Sequence, residues 1–474
     1  MTTPKKLLTP ENLREYQCLI NAHQIDVPRS ATFAGMGLGK TASTLTTLDS
    51  LILAGESSPT LILAPLRVAK LVWGDEAKKW SHLKHLSVVP IVGSEKERLQ
   101  ALRYDSQVFT TNYESLPWLV EHFGSRWPFK NVVMDESSKT KSFRLRQGGV
   151  RMAALGKVAH TQIKRVMQLT GTPAPNGLKD LWGSTWMLDR GNRLGRTFDA
   201  FTSRWFKPSP DGYGSVALPH AQAEIQELLK DICITIRAED YFDLKEPIVR
   251  DIVVDLPKKA MEMYASMEKD FFMQLACGTE VEAFNSAAKS MKLLQICSGA
   301  AYVDPAVGDD QHPKAREFRV IHDEKLDALD DILEEAGGSP VMISYQFKSD
   351  AARIKKRYPD AQLLSNDAQL AAFKTGKFRI GYGHAASMGH GIDQLQNHCY
   401  TMVNFSLGWN LEQAEQMLGR IGPVRQFQAG FNRNVFVYNI IARGTIDEVV
   451  AERLVSKASV QNALLDAMKR HKTS

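Results

Sequence analysis

The run Ala34-Gly35-Met36-Gly37-Leu38-Gly39-Lys40-Thr41 constrains this chain more than any other stretch. A short β-prone run, Ser30-Ala31-Thr32-Phe33, precedes it, and residues 42–48 read as a helix after it. Strand, glycine-rich turn and helix form the context of a phosphate-binding loop. Glycines let backbone N–H groups curl around phosphate oxygens, and the helix N-terminus adds partial positive charge. In such a loop Lys40 reaches the β- and γ-phosphates of a nucleotide, and the Thr41 hydroxyl ligates Mg2+. The general pattern asks for glycine five positions before Gly39, where Ala34 stands. The plainer alternative is a glycine-rich turn of no special function, which Gly-Lys-Thr opening a helix disfavours.

At 474 residues the chain exceeds what one core usually organises, so two or three domains are expected. An apolar share of 43% and a charged share of 24% fit a soluble globular protein. The net charge of +6 permits nucleic-acid binding without arguing for it. Five scattered cysteines (Cys18, Cys233, Cys277, Cys297 and Cys399) form no C-x-x-C pair, which argues for a reducing compartment and against a zinc site or a disulfide framework. No apolar run approaches the roughly 18–20 residues that span a bilayer, and no signal-type apolar core follows the start. The expectation is a cytoplasmic protein, in whatever cell holds it, with no membrane partner.

Thr9-Pro10-Glu11 reads as a helix start, with Leu13, Tyr16 and Ile20 on one face and Gln17 as an ordinary surface residue. Thr60-Leu61-Ile62-Leu63-Ala64 predicts a buried strand, followed by a helix over residues 68–80. Further strands are expected at residues 87–92, 107–111, 131–134 and 166–170. Short apolar strands alternating with amphipathic segments indicate a parallel α/β sheet, whose functional loops leave the C-terminal ends of strands. Lys40, Asp135 and Thr170 all sit at such ends. Residues 207–214 and 306–312 read as loops. Between residues 258 and 297, Tyr264, Met267, Phe271 and Leu275, then Phe284, Ala288, Met291 and Leu294, recur at helical spacing and predict helices packed on a core. A second series follows, with strands at residues 341–345, 378–382, 401–405 and 435–440. An amphipathic helix over 445–457 carries Ile446, Val449, Val450 and Leu454 on its apolar face. Trp182 and Trp186 read as core. The histidines His384, His390 and His398 read as loop residues rather than metal ligands, and residues 469–472 as a solvated basic tail. The architecture is α/β, two lobes joined by a helical segment.

Asp135-Glu136, about 95 residues after the loop and behind Val132-Val133-Met134, is the second strong signal. In a phosphate-loop enzyme an acid at the end of a neighbouring strand holds Mg2+, and the next acid polarises the attacking water. In this order the motifs resemble superfamily 2 helicases, and within them the Swi/Snf family of DNA-translocating ATPases. Leu13-Arg14-Glu15-Tyr16-Gln17 is similar to the adenine-reading glutamine motif, and Met36 through Thr41 to the family's phosphate loop, although Ala34-Gly35 replaces the usual acidic pair. Ala64-Pro65-Leu66 and Thr111-Asn112-Tyr113-Glu114 resemble the first lobe's nucleic-acid motifs. Asp135-Glu136-Ser137-Ser138 stands where the family has Asp-Glu-Ala/Gly-His. Leu169 through Asn176 with Asp180-Leu181-Trp182 is the most distinctive match. Tyr345-Gln346-Phe347-Lys348, Ser387 through Gly391, and Trp409 through Arg420 resemble motifs of the second lobe. The likeness covers nearly the whole chain and is greatest to the compact phage and prophage forms.

The resemblance implies two tandem RecA-like parallel-sheet lobes, residues 1–237 and 238–474, the second beginning with a helical segment to about residue 320. It implies ATP and Mg2+ as cofactors and nucleic acid, double-stranded DNA, as the partner; protein partners stay unknown. Gln17, Gly35, Gly37, Gly39, Lys40, Thr41 and Asp393 would contact the nucleotide, and Thr41 and Asp135 the metal. Pro65, Thr111, Asn112, Thr172, Tyr345, Ser387 and His390 would contact the nucleic acid. The catalytic set is Lys40, Asp135, Glu136 and an arginine finger. The family places its second arginine three residues after Arg420, where Pro423 stands, so Arg425 is the first choice and Arg420 the alternative. The leading function is ATP-driven translocation on duplex DNA. The alternatives are a strand-separating or remodelling helicase acting on DNA or RNA, and a clamp that binds without hydrolysis.

Overall fold

Alternation of apolar strands with helices builds two parallel sheets in the protein, described here by a computed structural model. The structure describes residues 7–56, 58–145, 149–208, 215–275, 281–302, 317–388 and 392–467. The chain divides into two compact units. One holds the residues up to Phe242 together with those from Lys457 onward, and the other spans Asp243–Ser456.

The first unit contains β1 (Arg29–Ala34), β2 (Thr60–Ala64), β3 (Val88–Ile91), β4 (Val108–Asn112), β5 (Asn131–Asp135), β6 (Arg165–Thr170), the short pair β7 (Phe206–Pro208) and β8 (Ser215–Ala217), and β9 (Cys233–Ile236). Seven of these form a sheet in the order β3-β4-β2-β5-β6-β1-β9, and every neighbouring pair is parallel. The strands are continuous apolar runs because both faces are covered. Leu61, Leu63, Val132 and Met134 face a core with Phe143, Trp182, Trp186 and Trp205. Ile62, Ala64, Val133 and Met167 face the other way, against Leu45, Leu48, Trp73 and Trp80. Trp182 and Trp186 are thus core residues.

Three features differ from the sequence reading. Thr9 heads only a 3-10 turn, Pro10–Asn12, and the helix itself is Glu15–Asp26. The helix expected over residues 68–80 opens with a π-turn, Val68–Val72, and ends at Ala77. The β9 strand, with Ala31 opposite Cys233, extends the sheet beyond β1 and was not foreseen.

The second unit contains β10 (Ile248–Val254), the antiparallel pair β11 (Ala300–Tyr302) and β12 (Phe318–Val320), β13 (Val341–Tyr345), β14 (Gln362–Leu363), β15 (Ile380–His384), β16 (Thr401–Asn404) and β17 (Phe436–Ala442). Its six-stranded sheet runs β10-β17-β16-β13-β15-β14, again parallel throughout. The edge strand β10 escaped the sequence reading, yet it pairs with β17 over its full length, Ile248 opposite Phe436 through Val254 opposite Ala442. Helices Lys258–Leu275 and Val281–Ser298 occupy the segment read as helical. There Tyr264 and Leu294 are buried, whereas Met291 is exposed; the side chains of Phe271, Leu275, Phe284 and Ala288 lie outside the description. The loop at 306–312 and the tail at 469–472 also lie outside the described residues, as do residues 209–214 of the loop expected at 207–214, whose first two residues, Lys207 and Pro208, belong instead to β7.

The last helix, Ile446–Ala467, runs ten residues past the expected end. Val450 is buried but Val449 is 47% exposed, so the apolar stripe is narrower than the spacing suggested. Its start is fixed by a buried ion pair. The Lys325 ammonium donates to Asp447 Oδ2 at 2.5 Å and to the Ile440 carbonyl at 2.9 Å, and Ala442 N donates to the same Asp447 oxygen.

Candidate nucleotide-binding site

The loop between β1 and the helix Lys40–Leu53 has Gly37 at φ 82° and Gly39 at φ 73°, both in the left-handed region that favours glycine. Ala34, where the general pattern wants glycine, is a buried strand residue paired with Ile236 of β9, so its backbone needs no glycine. Gly35 is exposed at the mouth of the loop. The Lys40 ammonium folds back onto the loop, donating to the carbonyls of Ala34 and Gly35, the latter at 3.1 Å. Thr41 is half-buried on the first turn of the helix.

Gln17 is not the surface residue its position suggested. It is 6% exposed, its Oε1 accepts from Arg14 N at 2.9 Å, and its Nε2 donates to the Gly39 carbonyl at 3.4 Å. A Cβ at Gly39 would stand 2.3 Å from Gln17 Nε2, so the amide lies directly on the loop. The neighbouring Tyr16 packs against Tyr241 and Phe242, which fixes this helix to the end of the unit.

Asp135 ends β5, with Leu169 of β6 as its register partner. Its Oδ2 accepts from the Trp73 indole N–H at 3.2 Å, its Oδ1 from Glu136 N at 3.1 Å, and its carbonyl from the Tyr113 hydroxyl at 2.8 Å. Burial pushes its carboxyl above the usual range, while the Lys40 charge and these N–H donors pull it back. Glu136 follows at φ 56°, a left-handed conformation that is costly for a residue with a side chain. At the end of β6, Thr172 N donates to the Thr170 hydroxyl at 3.0 Å, so these threonines shape a turn. Gly171 between them comes close to the phosphate loop: a Cβ there would be 3.4 Å from the Ala34 carbonyl and 3.5 Å from Gly35 Cα. Gln17, Lys40 and Gly171 therefore lie against one loop, and the sheet order β5-β6-β1 brings the strand end that carries Asp135 and Glu136 beside it. Thr41 and Asp135 supply hard oxygen donors, the set Mg2+ takes together with water and phosphate. Among the described residues no cluster of three or more His, Cys, Asp or Glu could hold a metal by itself.

The expected nucleic-acid contacts fare unevenly. Pro65 is partly exposed, and Leu66 beside it is 53% exposed. Thr111 is a correction: it lies inside β4, fully buried, with its hydroxyl donating to the Ile91 carbonyl at 2.8 Å, so the side chain cannot meet a polymer. Asn112 is buried as well, its amide spent on Glu114 and Ser115 in the following turn. Thr172 is buried too. In the second unit Tyr345 is 8% exposed, with its ring against Tyr382 and edge-on to His384, which again leaves no open face. The exposed positions there are Lys348 and Ser387, while His390 lies outside the described residues.

The two candidate arginines differ in setting. Arg420 is buried and donates from Nη1 to the Ile392 carbonyl at 2.6 Å. Arg425 sits on the helix Pro423–Gln428 and pairs with Asp393 at 3.0 Å, where Asp393 is half-exposed. Trp73 was missed by the sequence reading, and Tyr113 and Gly171 entered it only as members of motifs, without a role at Asp135 or at the loop. A tryptophan in a helix and a tyrosine after a strand carry no signal of the carboxylate they will meet.

Among the described residues no helix is long and apolar enough to cross a membrane. Residues 32–300 match the family profile of the SNF2-related domain. The chain is 48% identical over 472 residues to protein p41 of Acyrthosiphon pisum secondary endosymbiont phage 1, covering 98% of this chain and all of that one. It is 24% identical over 459 residues to the mouse chromodomain-helicase-DNA-binding protein 1-like, covering 91% of this chain and 47% of that one. Among solved structures, the Sulfolobus solfataricus SWI2/SNF2 ATPase core in complex with dsDNA matches with a TM-score of 0.44 and 21% identity, over 98% of this chain and 96% of that one. The chain belongs to the SNF2-related family, as a compact Swi/Snf-like superfamily 2 ATPase of the phage type.

Proposed function

We propose that this ATPase couples hydrolysis to movement along double-stranded DNA. The observation that carries the catalytic half is the sheet order β5-β6-β1, which sets the strand end bearing the buried Asp135 beside the Gly171 turn that lies against the Lys40 loop. The DNA half is supported by the family and by its DNA-binding mouse relative. In this reading the N–H groups of the Gly35–Gly39 loop bind the phosphates, with Gln17 bracing the loop and reading the adenine. Lys40 exchanges the Ala34 and Gly35 carbonyls for β- and γ-phosphate oxygens. Thr41 and Asp135 would hold Mg2+, which neutralises phosphate charge when bound. Glu136 orients the attacking water and takes its proton. Arg425 is the finger: its carboxylate partner Asp393 can be replaced by phosphate oxygens, whereas Arg420 is already committed to the Ile392 carbonyl. Exposed Pro65, Leu66, Lys348 and Ser387 contact the DNA backbone, which gives sequence-independent, salt-sensitive binding.

Steady-state ATP hydrolysis with no polymer, duplex DNA, single-stranded DNA or RNA tests this. Stimulation by duplex DNA is expected, with Glu136→Gln reducing the rate by about a hundredfold or more. Arg425→Ala should reduce it by roughly a thousandfold. Stimulation chiefly by single strands or RNA would favour strand separation instead. ATP bound but never hydrolysed would sink the motor reading.

A further inference from the structure

Two buried aromatic side chains tie Asp135 to the two segments of the first unit that resemble nucleic-acid motifs. Trp73 follows the segment after β2, where Pro65, Leu66 and Lys70 reach the surface and the backbone takes a π-turn at Val68–Val72. Such turns are rare and recur at functional positions. This one is held from the sheet side: the Thr110 hydroxyl donates to the Ala69 carbonyl at 2.6 Å. The next residue, Trp73, is fully buried and points its indole N–H at Asp135 Oδ2, 3.2 Å away. Tyr113 follows β4 within the second segment, and its hydroxyl donates to the Asp135 carbonyl at 2.8 Å. One segment therefore grips the carboxylate and the other the backbone of the same residue.

We propose that Trp73 and Tyr113 are positioning residues that set the Asp135 carboxylate for its metal, with nucleic acid acting through the surface segment 65–70 that leads into Trp73. This rests on the reading of the chain as a nucleic-acid-stimulated ATPase. With Oδ2 held by the indole and Oδ1 by Glu136 N, the carboxylate has one fixed orientation, and a shift of the Pro65–Trp73 segment moves the indole that defines it. The polymer need not touch the nucleotide to change the rate. A hydrogen bond to a charged group in a buried site is worth roughly ten- to a hundredfold in an equilibrium.

The test uses the full chain labelled with 5-fluorotryptophan, with the Trp73 resonance assigned by its loss in Trp73→Phe. A DNA duplex added without nucleotide should shift that resonance; an unmoved resonance overturns the proposal. In Trp73→Phe the gain in fluorescent-ADP affinity on adding Mg2+ should fall about tenfold while the metal-free affinity holds, a split that general loosening of the fold would not give. The ratio of duplex-stimulated to basal hydrolysis should fall by a similar factor. Tyr113→Phe, which loses one oxygen and keeps its ring, carries the same measurements should Trp73→Phe not fold. A wild-type chain that no polymer stimulates would sink the underlying motor reading. A stimulated wild type with both variants stimulated equally would sink this inference alone.

Discussion

At the scale of single residues, Gly39 shows how a backbone conformation and a side chain lock together. Its φ of 73° and the Gln17 amide pressed against it both demand the absence of a Cβ. Gly39→Ala should therefore carry the left-handed cost of about 1–2 kcal/mol and, beyond it, displace Gln17 from the loop. The expected result is a loss of nucleotide affinity of about tenfold or more in a fluorescent-ADP titration, part of it recovered when Gln17→Ala is added. Gly55 is the control, with φ 97° but open space around it, so Gly55→Ala carries only the backbone cost and leaves affinity unchanged. Equal effects at both glycines would remove Gln17 from the site. The placement of Lys40 and Thr41 at the head of a helix and of Asp135 at the end of a strand was legible, because each follows from the residues beside it in sequence. The burial of Gln17 and Thr111, and the bonds from Trp73 and Tyr113, were not, because each depends on a neighbour from a distant segment.

At the scale of elements, strands read well where both faces are buried and poorly at an edge. Arg250 and Asp251 break the apolar run of β10, yet the edge position leaves one side open and tolerates both: Arg250 pairs with Glu335 at 2.7 Å, and Asp251 accepts from Asn439 at 2.8 Å. The junction of the helix Val281–Ser298 with the loop after β12 has its own pH dependence. His322 there is buried, with Nε2 donating to the Ile296 carbonyl at 2.8 Å, Arg353 donating to its carbonyl, and no hydrogen-bond partner for Nδ1. A second ring proton would be buried without an acceptor; burial, then the charges of Arg353 and Lys325, hold the imidazole below its usual pKa against the opposing pull of the Ile296 carbonyl and Asp323. The unfolded chain then takes up a proton near pH 6.5 that the folded chain refuses. Stability contributed by this group is present above that pH and lost below it, with a slope of up to about 1.4 kcal/mol per pH unit. His322→Gln, which keeps the donor, should flatten that fall between pH 6.5 and 5 in urea titrations. An unchanged slope would place the proton uptake elsewhere, His82 and His160 being, among the described residues, further histidines held low by burial.

At the scale of the whole molecule, the division at Phe242 and Asp243 places β10 with the second unit, ahead of the helices at which the sequence appeared to begin anew. Reading the helical segment as the start of the second lobe's structure was natural, because the 3.6-residue period beginning near residue 258 is strong and β10 has no clean period of two. The pairing argues otherwise: β17 has a partner on each side, β10 and β16, and without β10 it becomes an edge with Ile252 and Val254 gone from the face they pack. We propose residues 243–456 as the self-sufficient second lobe. A fragment of that span should unfold in one cooperative urea transition followed by circular dichroism. A fragment of residues 258–456 should be less stable by about 2–4 kcal/mol, the worth of two partly buried aliphatic side chains with a strand's ladder beside them. It should also associate through the uncovered β17 edge, visible as a larger species in light scattering. Equal stability of the two fragments, both monomeric, would mean that β10 belongs to the linker and that the lobe begins with its helices.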